Sequence, residues 1–247
     1  MDFLAPSTRE AVSTRGEESD APRLPSPDRG QQARIAAFLG HVEIFAGLSS
    51  VERRRIAADT LVVTVPARTV LSNADTRGPG LGIVWRGAAK VSMVGDNGRE
   101  VVLALLDPTH VFGELSLLDG EPGRAHVKAM RLTEVIWLPT AHLIEALVRH
   151  PELGLSMLQV TASRVRSAER RVRQLAFQDA PERIEATLRE IARHRGEQTA
   201  AGIVLPRPSQ RLLAEMVGST RETVNRVFKD LESRDIIRCQ GRDVVLR

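Results

Sequence analysis

Hydrophobic and polar positions divide the chain into four parts. Residues 1 to 30 hold few apolar side chains among many Ser, Thr, Pro, Arg and Glu. Such a segment cannot bury enough apolar surface to offset its ordering entropy, and it predicts a disordered N-terminal tail. Residues 31 to 150 open with a helical stretch, Ile35 to Leu48, and continue as short apolar runs. Leu61 to Val65, Thr69 to Leu71, Gly82 to Arg86, Ala88 to Val94 and Glu100 to Leu106 read as strands, followed by a final strand from Ala125 to Leu138. Asp96-Asn97-Gly98 is a strong hairpin turn, and Gly78, Gly80, Gly87 and Gly113 punctuate the rest. Many short strands with regular turns predict a β-roll or barrel, with Trp85 and Trp137 in its core.

Residues 151 to 178 predict one long helix. Leu158, Thr161, Val165, Ala168, Val172 and Leu175 recur at alternating spacings of three and four, a heptad seam suited to pairing with a second copy. Arg164, Arg166, Arg170, Arg171 and Arg173 flank it. Residues 179 to 247 begin with a helix from Pro181 to about His194, then a Gly/Gln/Thr loop. The most specific pattern lies beyond that loop, from Ser209 to Ile237.

Ser209 is a good N-cap, and Pro206 and Pro208 stop a helix from entering upstream. Leu212, Leu213, Met216 and Val217 give an apolar face, and Ala214 is small where two helices must cross. Gly218 can take the left-handed conformation that ends a helix. Ser219 or Thr220 caps the next helix, with Ser219 and Glu222 fitting a capping box. Val224, Val227, Phe228 and Leu231 face inward, leaving Arg221, Glu222, Asn225, Arg226 and Lys229 outside. This is a helix-turn-helix whose second helix leads with side chains that can read base edges. A plain solvated hairpin explains the outward charges but not the cap, turn glycine and small crossing residue in one register. Ile236 to Arg238, a turn at Gln240-Gly241-Arg242, and Val244 to Leu246 add a hairpin, the wing of a winged helix.

The Arg-Glu-Thr-Val-Asn-Arg opening of that helix resembles the CRP/FNR family of bacterial transcription regulators, in particular its catabolite activator protein-like branch. The resemblance spans residues 32 to 247. It implies an α+β fold with an N-terminal cyclic-nucleotide-binding-type β-roll, a long dimerisation helix and a C-terminal winged helix-turn-helix. It implies a cytoplasmic homodimer that binds promoter palindromes with GTGA-like half-sites and works with RNA polymerase as activator or repressor. Carried over by position, Arg221 and Arg226 would each donate to guanine, and Glu222 would accept from a cytosine amine. Thr220, Thr223 and the helix start at Ser209 and Gln210 would hold phosphates, with Asn225 and Lys229 on the same face.

The family's effector cassette runs Gly-Glu-Leu-x-Leu, a short loop, then Arg followed by Ser or Thr and Ala. Gly113, Glu114 and Leu115 fit it. The arginine position of the commonest loop length holds Gly123, and the Ser/Thr position holds Arg124, with Ala125 in register. The hydroxyl pair that cAMP-binding relatives carry on the long helix is replaced by Ala168 and Glu169. Control by ordinary cAMP binding is therefore disfavoured, although Arg124 could still hold an anion. The alternatives are a cyclic-nucleotide-activated regulator and, in another class, a nucleotide receptor module acting through protein partners. The second needs no base-reading helix.

Composition adds little to this picture. The net charge is only +4, and of 35 basic residues all but Lys90, Lys128 and Lys229 are arginine. Arginine suits bidentate guanine and phosphate contacts. One cysteine, Cys239, rules out a disulfide framework and an iron–sulfur cluster held by several cysteines. The six histidines show no ligand spacing, so no metal site is expected. No signal peptide or membrane-length apolar run is seen, and no Walker, His-Glu-x-x-His or Gly-x-Ser-x-Gly motif points to an enzyme. Ser7, Thr8, Ser13, Thr14, Ser19 and Ser26 in the tail are hydroxyls a kinase could use.

Overall fold

The computed structural model describes residues 27–76 and 78–247, and the expected N-terminal tail lies almost wholly outside them. The chain opens with α1 (Arg29–Leu39), a short 3-10 turn (Glu43–Phe45) and α2 (Ser50–Ala58). Asp28 and Ser49 cap the two helices, accepting from Gln31 N–H and Glu52 N–H. The strands β1 (Leu61–Val65), β2 (Val70–Ser72), β3 (Gly80–Arg86), β4 (Ala89–Val94), β5 (Glu100–Leu106) and β6 (Val111–Phe112) follow. Next come α3 (Glu114–Asp119), β7 (His126–Ala129), β8 (Thr133–Pro139), α4 (Thr140–Arg149) and α5 (Glu152–Phe177). The chain ends with α6 (Ala180–Arg195), β9 (Glu197–Thr199), β10 (Gly202–Pro206), α7 (Gln210–Val217), α8 (Arg221–Ser233), β11 (Ile237–Gln240) and β12 (Asp243–Leu246).

The first eight strands form two antiparallel sheets, in the orders β1-β8-β3-β6 and β2-β7-β4-β5. Inward residues such as Leu81, Ile83, Ile136 and Leu138 are fully buried, and α1, α2, α4 and the start of α5 close over them. A second cluster between the sheets centres on Phe112 and Trp137, stacked edge to face at 5.1 Å. Trp137 is inside as expected. Trp85 instead sits at the margin of the core against Phe38, with Arg86 over its ring.

Three expectations are corrected. Ala125 to Leu138 is not one strand: β7 belongs to the second sheet and β8 to the first. The chain breaks at residues 130–132 because it must cross between sheets. There the Ala129 carbonyl accepts from Arg68 N–H, and Thr133 Oγ1 donates to Ala88 O. The helical start is not Ile35 to Leu48 but α1, beginning at the Asp28 cap and ending at Gly40. The loop before Ser209 is a hairpin, β9–β10, whose β10 pairs with β12, making the wing a four-stranded sheet.

The C-terminal domain has its own core. Ile184 and Leu188 of α6, Leu213 and Val217 of α7, and Val224, Val227, Phe228 and Leu231 of α8 pack together with Val244 and Leu246. Among the described residues no helix is long and apolar enough to cross a membrane. Phe228 is 2% exposed at the centre of this cluster. Phe228→Ala should cost about 3–5 kcal/mol of stability, read by denaturant unfolding.

Candidate DNA-reading surface and effector pocket

The turn between α7 and α8 is built by backbone chemistry. Gly218 ends α7 at φ 64°, a left-handed conformation costly for other residues, and its N–H and that of Ser219 both donate to Ala214 O. Thr220, not Ser219, caps α8: its hydroxyl accepts from Thr223 N–H at 3.2 Å. The Ser219–Glu222 capping box does not form, because Ser219 N–H is already used by Ala214. At the start of α7, Ser209 accepts from Leu212 N–H at 3.1 Å, as expected.

Burying Val224, Val227, Phe228 and Leu231 leaves Arg221, Glu222, Asn225, Arg226 and Lys229 all exposed on the other face of α8. Glu222 is held below the ordinary carboxylate range, first by its own backbone N–H and then by the Thr220 hydroxyl. It is therefore an acceptor at neutral pH. Gln210 Nε2 donates to Asn225 Oδ1 at 3.1 Å, tying the N-terminus of α7 to the exposed face of α8. An open groove beside this face is lined by Arg207, Gln210, Arg211, Arg221 and Arg242. Arg207 and Arg242 escaped the sequence reading, since they lie outside the two helices. The Arg207 N–H donates to Arg242 O across the base of the wing.

The cassette residues are placed differently. Gly113 has φ 87°, and a Cβ there would meet Gly80 O at 2.8 Å, so the turn into α3 needs glycine. Glu114 is fully buried and ion-paired with Arg164 of α5, whose other terminal nitrogen donates to Val111 O. Burial raises the Glu114 carboxyl above its ordinary value, against the smaller opposing pull of Arg164. Its second oxygen, Oε2, is buried without a hydrogen-bond partner among the described residues. Leu115 is half exposed, Arg124 is exposed and Ala125 is half-buried. Gly123 O accepts from Asp75 N–H at 2.6 Å, so the loop that could present an arginine is pinned by backbone. Arg164 was foreseen only as a flank of the seam, and nothing in local sequence signals its reach to Glu114.

On α5 the seam stays open to solvent in the single chain. Leu158, Val165, Val172 and Leu175 are 58%, 53%, 66% and 53% exposed, and Ala168 and Glu169 are exposed beside them. Only Thr161 is partly covered, its hydroxyl donating to Met157 O. Among the described residues no group of three or more His, Cys, Asp or Glu could hold a metal.

A β-roll, a long helix and a winged helix-turn-helix with an outward basic face define a class of DNA-binding regulators. Comparison with known proteins gives the family. The model described as a cyclic nucleotide-binding domain matches residues 62–150, and the Crp-like helix-turn-helix domain matches residues 182–247. The chain is 34% identical over 164 residues to the global nitrogen regulator of Nostoc sp., covering 65% of this chain and 74% of that one. It is 30% identical over 182 residues to the cAMP-activated global transcriptional regulator CRP of Haemophilus influenzae, covering 73% and 81%. The structure of FixK2 from Bradyrhizobium japonicum superposes with a TM-score of 0.68 at 25% identity, covering 76% and 92%. The chain belongs to the CRP/FNR family of transcription regulators. It is a regulator with a helix-turn-helix DNA-binding domain and a cyclic nucleotide-binding domain.

Arg164→Met should leave a buried, uncompensated carboxylate and cost about 3 kcal/mol, the lower end for a broken buried pair because Arg164 is 35% exposed. Adding Glu114→Gln should recover most of that loss, as read by chemical unfolding of the single and double variants.

Proposed function

We propose that this regulator works as a homodimer on palindromic DNA with GTGA-like half-sites, and that ordinary cAMP does not switch it. The observation that carries the DNA reading is the exposed set on α8, in which two arginines flank an ionised glutamate. Arg221 and Arg226 then donate to guanine edges, and Glu222 accepts from a cytosine amine while penalising other bases. Thr220, Thr223, Ser209 and Gln210 hold phosphates and set register, with Asn225 and Lys229 beside them. Arg207 and Arg242 extend that phosphate-holding surface along the groove.

The homodimer reading is supported by the seam. Four large apolar side chains more than half exposed along one helix are poorly suited to water and suited to a matching copy. Palindromic DNA needs two copies of one reading helix, and a parallel pair of α5 helices supplies them. The protein acts in the cytoplasm at promoters together with RNA polymerase.

Effector independence rests on three features. Arg164 already occupies Glu114, the residue that in the family's cassette holds a ribose hydroxyl. Gly123 stands where the phosphate-holding arginine is expected, and Glu169 places a carboxylate where an adenine-contacting hydroxyl would be. One observation favours a second reading, a nucleotide-responsive protein. Glu114 Oε2 is buried and unpartnered, ready to accept from a ligand hydroxyl. The H. influenzae relative is cAMP-activated by name.

Titrating the purified protein into a labelled palindrome at fixed salt, with and without cAMP, separates these readings. Tight binding without nucleotide is expected, and binding only with nucleotide would contradict it. Arg226→Ala should cost roughly 1–3 kcal/mol and relax discrimination at one base pair. An equal loss on every sequence would instead make Arg226 a phosphate contact.

A further inference from the structure

A cluster of charged side chains joins the two domains; it is remote from the effector pocket and touches the groove beside α8 only through Arg211. Lys90 of β4 places Nζ 2.9 Å from Glu100 Oε1 on β5 and 2.8 Å from Glu215 Oε2 on α7. The three side chains are only 13%, 15% and 11% exposed. Buried Ser92 donates to Glu100 Oε1 at 2.7 Å, and Arg211 Nε lies 2.8 Å from Glu215 Oε1. Both carboxylates are therefore held from two sides. Burial alone would raise the Glu100 carboxyl, yet the hydrogen bonds from Lys90 and Ser92 outweigh it and keep it below its ordinary value. A second bridge spans the same junction, from Arg195 at the end of α6 to Asp107 just after β5, at 2.6 Å.

A largely desolvated ammonium between two carboxylates tolerates little displacement. A shift of α7 by a few ångströms would leave charges buried and unpaired, which is costly. The covalent link between the domains is only the corner at Gln178-Asp179 between α5 and α6. That corner is braced by the Asp179–Glu182 capping box and by Arg183, which donates to Gln178 O, and the junction bridges add a hold on α7 from the β-roll side.

We propose that Lys90 is a positioning residue for DNA reading: with Glu100 and Glu215 it locks α7 onto the β4–β5 hairpin and so sets where the reading helix of each chain stands. This rests on the homodimeric palindrome reading above. In the locked arrangement Arg221, Glu222, Asn225, Arg226 and Lys229 are all exposed, so the lock leaves the reading face free. No part of the described chain covers that face in this arrangement. A dimer reading a palindrome must hold two reading helices about one DNA turn apart, roughly 34 Å. One lock per chain fixes that separation.

The test measures binding of the full-length protein, at fixed salt, to three kinds of duplex: a palindrome, palindromes with one or two base pairs added or removed between half-sites, and a single half-site. The variants are Lys90→Met, Glu215→Gln, their combination, and Lys90→Arg. Lys90→Met and Glu215→Gln should each bind the best palindrome about tenfold more weakly and discriminate less against altered spacings. The combination should be no worse than the weaker single variant, because both remove one interaction. Single half-site affinity should be unchanged, and Lys90→Arg should restore the spacing preference. A merely structural role would lower the unfolding temperature and weaken every duplex alike. That result overturns the proposal, as do unchanged palindrome binding and tighter palindrome binding, the latter making the cluster a brake. If the unmodified protein shows no preference for two half-sites over one, the palindrome reading fails and this proposal falls with it.

Discussion

Two arginines one heptad apart on α5 tie both domains to a single helix. Arg164 reaches back to Glu114 and Val111 O in the β-roll, and Arg171 reaches forward to Met216 O at the end of α7. Each guanidinium satisfies a group that the other domain would otherwise leave without a partner: a buried carboxylate in one case and a carbonyl in the last turn of a helix in the other. Both lie beside the apolar seam. The helix therefore anchors the β-roll, anchors the DNA-binding domain and leaves an apolar face open to solvent. A change in its register or pairing would be felt by both domains at once.

The same economy of position governs the DNA-binding domain. Its core is small, and α8 has only four buried residues with which to orient eight exposed ones. Orientation is therefore shared with backbone devices: the left-handed Gly218, the Thr220 cap and the sheet that β10 lends to the wing. Among the described residues Arg221, Glu222, Arg226 and Lys229 of α8 form no ion pair, whereas the charges at the domain junction are paired and largely buried. Under the proposed function, the first set is available for DNA and the second holds position.

What the sequence revealed follows from the range of each signal. The helix-turn-helix was legible because its caps, turn glycine and apolar spacing all act within about one helical turn of one another. In the β-roll, strands bounded by turn residues were legible, as at Asn97-Gly98. The single strand expected from Ala125 to Leu138 failed because β7 and β8 are separated by only three residues, and a crossing between sheets leaves no local mark beyond residues 130–132. The β9–β10 hairpin was missed because Glu197, Gln198 and Thr199 are exposed and carry no alternating pattern. The partners of Glu114 and of Lys90 were invisible for a different reason. Arg164 is 50 residues from Glu114, and Glu215 is 125 from Lys90, and a single sequence holds no record of which distant charges meet. The groove arginines Arg207 and Arg242 read locally as parts of a loop and a turn.

Under the proposed function, two copies of this chain, joined along α5, read the two halves of one palindrome. Sedimentation equilibrium of the protein with a fluorescent duplex, carrying either both half-sites or one, measures it directly. The account predicts a dimer in solution, two chains on each palindrome, and much weaker binding to the single half-site duplex. One chain per duplex, with the same affinity for one half-site as for two, would contradict it.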